Sequence, residues 1–394
     1  MRTGRFIFAL SSFLAIWLTG GAAVMAQPAD STKIRTPFVQ GGITDKPFIV
    51  RLGGRTSIGG YADFQFRAER EEGVTEEVTF QLPRFNLFTY SVVSDRIRLS
   101  SEIEFEHGGE EIKIEYGIID FEIREELNFR AGIILTPLGK FNLTHDAPQN
   151  ELTDRPLVVT EIIPSTLSEP GLGFWGSFYP SLSSRITYEL YAVNGFNEGI
   201  ITGAQTRLQA GKANLEEDNN TMPALTGRLA ASPTPGMEIG LSGHLGQYNV
   251  SKEDGVRIAD PKYLSILAAD WEYRRNRVTF LGEYARTKIG LPPGLVGFLA
   301  EHQQGFYTQL SYRFVNRLTS TLPNASLTGS IRYDGVDFDT AVKGDALQRL
   351  TLGLNFHPAA DTVFKLDYQI SHSTNGVNTG TSGRAFLFSV ATYF

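Results

Sequence analysis

Cysteine is absent from the 394 residues, which excludes disulfide staples, a lipid-anchored N-terminal cysteine and any metal centre or nucleophile built on sulfur. Histidine is scarce, and His107, His145, His244, His302, His357 and His372 show none of the spacings, such as H-x-x-x-H, that hold a metal. Positive charge is in deficit, with 36 Lys and Arg against 43 Asp and Glu, so nucleic acid is an unfavourable partner. Beyond Leu18 no stretch approaches the roughly 20 apolar residues of a membrane-spanning helix. No fixed period repeats along the chain, which argues against propellers and solenoids.

The two ends carry the strongest positive signals. Arg2 and Arg5 precede an apolar run from Phe6 to Leu18, and Val24-Met25-Ala26 sets small or tolerated residues before Gln27. This pattern predicts a secretory signal peptide over 1–26, whose apolar run is too short to span a bilayer. Cleavage leaves 368 residues and, since two arginines and no acid depart, moves the net charge from −7 to −9. At the other end, residues 384–394 alternate to the last position, with Phe386, Phe388, Val390, Thr392 and Phe394 on one face. Termini of soluble proteins fray, whereas a closing strand of a bacterial outer-membrane barrel ends in this way. Phe394 is then the expected address for the barrel-assembly machinery.

Between these ends the chain reads as sixteen strands, beginning with 56–69 and closing with 384–394, behind a segment 27–55 whose role the residues do not declare. Period-2 patterning over about 10 residues marks a transmembrane strand. In 305–315, Phe306, Thr308, Leu310, Tyr312 and Phe314 alternate with Tyr307, Gln309, Ser311 and Arg313; in 362–372, Phe364, Leu366, Tyr368 and Ile370 alternate with Lys365, Asp367 and Gln369. The second, fourth and tenth strands alternate poorly. Connections after odd strands are mostly long (70–77, 137–170, 194–223, 251–262, 289–304, 373–383) and those after even strands mostly tight, the asymmetry of a barrel with both termini in the periplasm. A mean hydropathy of −0.14 suits a barrel, where lipid-facing and lumen-facing residues cancel. The expected fold is therefore all-β: a closed antiparallel transmembrane barrel of sixteen strands over 56–394. An exported soluble sandwich would also alternate, but explains neither the aromatic terminus nor the loop asymmetry.

The connection 137–170 is the longest and is rich in Leu, Val and Ile, too apolar to stand in water, so it is expected to fold into the lumen and narrow the channel that about sixteen strands leave. It carries Lys140 and Arg155 against Asp146, Glu151, Asp154, Glu161 and Glu169. Opposite it, Arg313, Arg332, Arg349 and Lys365 are predicted to face inward on four consecutive strands, with Arg130 on the fifth. A basic stripe facing an acidic loop would select solutes by charge; ordinary lumen polarity is the equally weighted alternative, since Asp334, Asp367 and Glu189 also point inward. His145-Asp146 could form a hydrolytic dyad only if sequence neighbours turned together, which they rarely do. The acidic stretch 215–220 reads as a solvated loop tip before it reads as a cation site.

Two stretches carry a family resemblance. Leu127-Asn-Phe-Arg-Ala-Gly-Ile-Ile-Leu-Thr-Pro-Leu-Gly139 is similar to the strand of the phosphate-selective porins O and P that runs through Arg and Gly into the Pro-x-Gly turn of their constriction loop. Glu169-Pro-Gly-Leu-Gly-Phe-Trp-Gly176 resembles the strand that re-enters their wall. The resemblance is specific over residues 111–180. It implies a homotrimer in the outer membrane of a Gram-negative bacterium, among lipid and lipopolysaccharide, passing small hydrophilic solutes, with phosphate among the candidate anions, and with neither cofactor nor covalent catalysis. A non-conducting barrel presenting its outer loops as a scaffold or adhesin is the first alternative, and a barrel hydrolase the second.

Overall fold

The computed structural model describes residues 50–51, 56–202, 206–212, 215, 220–316, 322–375 and 379–394. The expected signal peptide 1–26, most of the segment 27–55 and the acidic tip 216–219 lie outside them.

Sixteen long strands follow the expected order. They are β1 (Thr56–Glu71), β2 (Val74–Val92), β3 (Ile97–Glu106), β4 (Glu111–Arg124), β5 (Leu127–Leu135), β6 (Ser168–Ser181), β7 (Ser184–Val193) and β8 (Ala224–Ser232). Then come β9 (Met237–Gln247), β10 (Tyr263–Arg275), β11 (Val278–Ile289), β12 (His302–Asn316), β13 (Ser326–Asp337), β14 (Ala346–Ala359), β15 (Thr362–Thr374) and β16 (Gly380–Tyr393). Each pairs antiparallel with the next, and β16 pairs with β1 from Gly383↔Glu71 to Tyr393↔Tyr61, so the sheet closes on itself. Two main-chain hydrogen bonds between Gly60 and Phe394, 3.1 and 3.0 Å, finish the seam. Below it, the short strand Val50–Arg51 pairs with Ile58 and Ser57 of β1. Closure pairs the backbone groups that hydrocarbon could not satisfy.

Facing follows from the same requirement. On β12 Phe306, Leu310, Tyr312 and Phe314 are exposed on the outer face, whereas Tyr307, Gln309 and Ser311 are buried inside. On β15 Phe364, Leu366, Tyr368 and Ile370 point out while Lys365, Asp367 and Gln369 are buried. Rings of neighbouring strands meet on the outer face, such as Phe85 stacked on Phe394 at 5.4 Å and Phe129 against Phe174 at 5.8 Å.

The three poorly alternating strands have separate causes. In β4 a bulge sets Tyr116 opposite Glu102 and Ile114 opposite Ile103, so Glu115 is an extra residue and turns inward beside Tyr116. In β2 the register slips where Asp63 pairs with Arg84 but Gln65 pairs with Gln81, and Pro83 sits in the slip, where it costs no ladder bond. In β10 the inward positions Leu264, Ile266 and Ala268 are apolar because a loop, not water, covers them.

One connection differs from expectation. Residues 70–77 are not a long loop: β1 and β2 run on to a two-residue turn, Glu72-Gly73, whose φ values of +47° and +85° suit a tight hairpin. The last β2–β3 pair is Arg84↔Glu106, so Val74 to Pro83 rise beyond the β3–β4 turn. Charged residues in that projection, such as Arg70, Glu71 and Glu77, mask the strand pattern in the sequence. Most of the remaining connections keep the asymmetry, with one end of the barrel bearing long loops and the other short turns; the exceptions are the short β3–β4 turn at the first end and the nine residues between Asn316 and Ser326 at the second.

Candidate functional site

The connection 136–167 leaves β5 and crosses the lumen. Its first turn is fixed by Gly139, whose φ of +70° disfavours any side chain and whose Cβ would run into the Glu283 carboxylate. The Gly139 amide donates to Ser242 Oγ (2.8 Å), and the amides of Lys140 and Phe141 donate to Glu283 Oε2 (3.0 and 3.1 Å). Buried carboxylates thus receive backbone donors that water would otherwise hold.

From there the loop is held by three apolar clusters. Leu138, Phe141, Leu157, Val158, Val159, Ile162, Ile163 and Leu167 pack on Leu264, Ile266, Ala285, Ile289, Tyr307 and Val336 of β10–β13. Leu143 joins Tyr116, Ile118, Ile134, Tyr191 and Val193, and Ala147 joins Tyr61, Phe88, Val363, Ala391 and Tyr393. Apolar contact is non-directional and grows with area, so these clusters explain why an apolar connection folds inward.

Polar contacts then fix its path. The His145 ring pairs with the carboxylate of Glu115, the residue supplied by the β4 bulge, and its Nδ1 lies 2.9 Å from the Asn142 carbonyl. Asp146 instead accepts a hydrogen bond from the Tyr393 hydroxyl at 2.9 Å. His145 and Asp146 therefore serve different strands and form no dyad. Glu151 accepts from Asn355 (2.7 Å) and lies 3.3 Å from His357 Nε2. The Thr153 amide donates to Asp367 at 2.7 Å.

Asp154 is the focus of the clamp. It takes Arg67 Nη1 at 2.6 Å, Gln369 Nε2 at 2.9 Å and Arg349 Nη1 at 3.4 Å. Arg332 donates to the Asp154 carbonyl at 2.9 Å, and Arg349 to the Arg155 carbonyl at 2.5 Å. Asp334 pairs with Arg332 at 2.9 Å and accepts the Leu157 amide at 3.0 Å. Paired, hydrogen-bonded charges of this kind are tolerated where lone ones are not.

The basic residues singled out from the sequence have separate fates. Arg332, Arg349 and Lys365 hold the loop; Lys365 Nζ donates to the Ala147 carbonyl at 2.7 Å and is buried. Arg130 stands apart, bridging β5 to Asp120 of β4 at 2.7 and 3.0 Å beneath Trp175. Arg313 is exposed at the short-turn end and makes no ion pair among the described residues. Lys140 pairs with Glu272 at 2.5 Å and Glu238 at 3.4 Å. Arg155 reaches Thr166 Oγ1 at 3.2 Å, near the place where Lys212 of an outer loop donates to the Thr166 carbonyl at 2.6 Å.

Several contributors escaped the sequence reading. Arg67 and Arg84 bring cations to β1 and β2, where Arg84 pairs with Glu104 at 3.0 Å. Glu115 was hidden by the bulge, Glu283 carried no pattern that set it apart, and Asp334 read as an ordinary lumen acid. Only the inward phase of Arg67, between the outward rings of Phe64 and Phe66 and the turn, was available as a signal.

No protein-family profile matches the chain. An uncharacterised protein of Aquifex aeolicus (strain VF5) is 27% identical over 355 residues, covering 83% of this chain and 78% of that one. Among solved structures, OprB of Pseudomonas putida at high pH aligns with a TM-score of 0.56 at 10% identity, over 86% of this chain and 94% of that one. The outer membrane channel DcaP of Acinetobacter baumannii gives 0.55 at 10% identity, over 88% and 99%. An anion-selective porin from Comamonas acidovorans gives 0.54 at 8% identity, over 86% and 99%. At these identities the likeness is one of architecture: the chain has the closed-barrel fold of outer-membrane porins and channels.

Proposed function

We propose that the protein is an outer-membrane porin through which small hydrophilic solutes diffuse passively, in a water-filled lumen narrowed by the connection 136–167. The observation that carries this reading is the loop itself, bound to inward side chains of β1, β4, β9–β11 and β13–β16 inside a wall that is apolar outside and polar within. A closed wall with a polar interior favours permeation, and a loop fixed by buried contacts supplies a constriction of constant shape.

Beside the loop, Arg67, Arg84, Arg155 and Lys212 set a positive margin, which supports a modest preference for anions. Phosphate as a dedicated solute draws less support, because Arg67 shares its site with Asp154 and Glu69, and Arg84 with Glu104. A ladder selective for phosphate needs donors without competing carboxylates. Homotrimer formation and recognition of Phe394 by the assembly machinery belong to the same reading. The first follows from the resemblance over 111–180, and the second from Phe394, which closes the seam as an outward aromatic.

The experiment is single-channel recording of the refolded chain in planar lipid bilayers. Steady conductance steps with a permeability ratio above one for anions are expected. A barrel that inserts but gives no steps overturns the reading in favour of a scaffold, which the breadth of the loop's grip on the wall would then explain.

A further inference from the structure

Between the loop and the short-turn ends of β10–β13 lies a cavity of about 240 Å³. Its volume is below the roughly 300–1,000 Å³ of drug-sized ligand pockets, so an occupant would be a single ring or a short chain. Its cations outnumber its acids, and the acids are engaged. Lys140 and Arg274 hold Glu272 at 2.5 and 3.0 Å, while Glu151 and Asp154 are tied to the wall as described.

Two further cations are left over. Arg313 and Arg277 both line the cavity, and strand register sets them side by side, with the Arg313 amide donating to the Arg277 carbonyl at 2.8 Å. Neither makes an ion pair among the described residues, and Arg277 finds only the Phe314 carbonyl at 3.4 Å. Adjacent like charges are destabilising unless something negative lies between them. A second, independent observation comes from the wall. Thr328 lines the cavity and is 3% exposed, yet its Oγ1 has no hydrogen-bond partner. A buried hydroxyl without a partner costs free energy that a bound polar group would recover. Gln309 and Ser311 add amide and hydroxyl groups to the same surface.

We infer that this cavity is a binding site for a small hydroxylated anion, such as a sugar phosphate or sugar acid, with Arg277 and Arg313 taking the phosphate or carboxylate. The hydroxyls of the solute face Gln309, Ser311 and Thr328. The inference rests on the porin reading for how the solute arrives, and it adds the class of solute and a place where it pauses after passing the loop. Planar guanidinium forks suit both anions, and the hydroxyl-rich wall favours a carbon skeleton over a bare ion.

The test is titration calorimetry on the refolded full chain in a non-ionic detergent at low salt, with glucose 6-phosphate, gluconate, inorganic phosphate and glucose as probes. Glucose 6-phosphate and gluconate should saturate one site, with inorganic phosphate weaker and glucose at least ten-fold weaker. Arg277→Gln with Arg313→Gln should weaken the organic anions roughly ten-fold or more for each arginine, the scale of a charge-assisted hydrogen bond. Thr328→Val should weaken them several-fold. Arg257→Gln, on an outer loop where Arg257 pairs with Asp260, should change nothing. Equal affinity in the double variant, glucose binding as tightly as its phosphate, or loss of binding in Arg257→Gln would each overturn the proposal. Should the double variant fail to refold, Arg313→Gln alone decides, since that side chain stands in solvent. Conductance steps without calorimetric binding would sink the site and leave the porin; binding without steps would do the reverse.

Discussion

The loop 136–167 meets the barrel in two unlike ways. Along 157–163, against β10–β13, it is dry, with Leu157, Val158, Val159, Ile162 and Ile163 buried on Leu264, Ile266, Ala285 and Tyr307. Toward β1, β14 and β15 it is charged, with Asp154 gripped by Arg67, Arg349 and Gln369. The dry side decides where the loop lies, because burial rewards area in any orientation. The charged side decides which atoms face the remaining space, because charged hydrogen bonds reward one geometry. The two kinds of contact are therefore made by different residues, and each can be altered without the other.

The sharpest way to break this division is Asp154→Ala. It leaves Arg67 and Arg349 largely buried without their shared partner, so a loss on the order of 3 kcal/mol in denaturant-unfolding free energy is expected. The same variant should raise the anion-to-cation permeability ratio in bilayers; an unchanged ratio would show that the charged side does not govern selection. Ile162→Ala tests the dry side. Truncating this fully buried side chain should cost about 2–3 kcal/mol and increase current noise, while leaving the permeability ratio where it was.

Smaller effects probe the joints. Tyr393→Phe removes the hydroxyl that donates to Asp146 and should cost about 1 kcal/mol, read as a few degrees in the temperature at which the folded band is lost on electrophoresis. Phe394 is untouched by that change, so assembly should proceed. The last probe concerns Lys212. Burial first, then the nearby cations Arg155 and Lys113, pull its ammonium down to about 8. Its proton leaves the folded chain above that pH, whereas the unfolded chain holds it to about 10.4, so folding becomes more favourable as pH climbs between the two. Over the same window the outer margin loses a positive charge. Anion preference should decline as pH passes about 8, and Lys212→Gln should flatten that dependence.

Much of the architecture is legible in the chain because hydrocarbon imposes period-2 alternation on each spanning strand. Phe364, Leu366, Tyr368 and Ile370 on β15 show it plainly, as does the terminal run to Phe394. Legibility fails where that constraint is lifted or an extra residue enters. The β1–β2 hairpin beyond Arg84 is free of it, the β4 bulge inverts the phase at Glu115, and inward Leu264 and Ile266 look misplaced until the loop covers them.

The site was half legible. Apolar content set 137–170 apart from the other connections, and alternation put Arg332, Arg349 and Lys365 among the inward positions. What they do there was not readable, since three of the four stripe residues donate to loop carbonyls or carboxylates while Arg313 alone stands open.

By itself the sequence determined the number of strands and their outward faces, because solvent on each side of a closed wall acts on residues one at a time. Tertiary structure alone decided the partners of each lumen charge. Some of those pairings join residues about two hundred positions apart or more, such as Asp154 with Arg349 and Asp146 with Tyr393, and depend on ring closure and on the register of every strand between them.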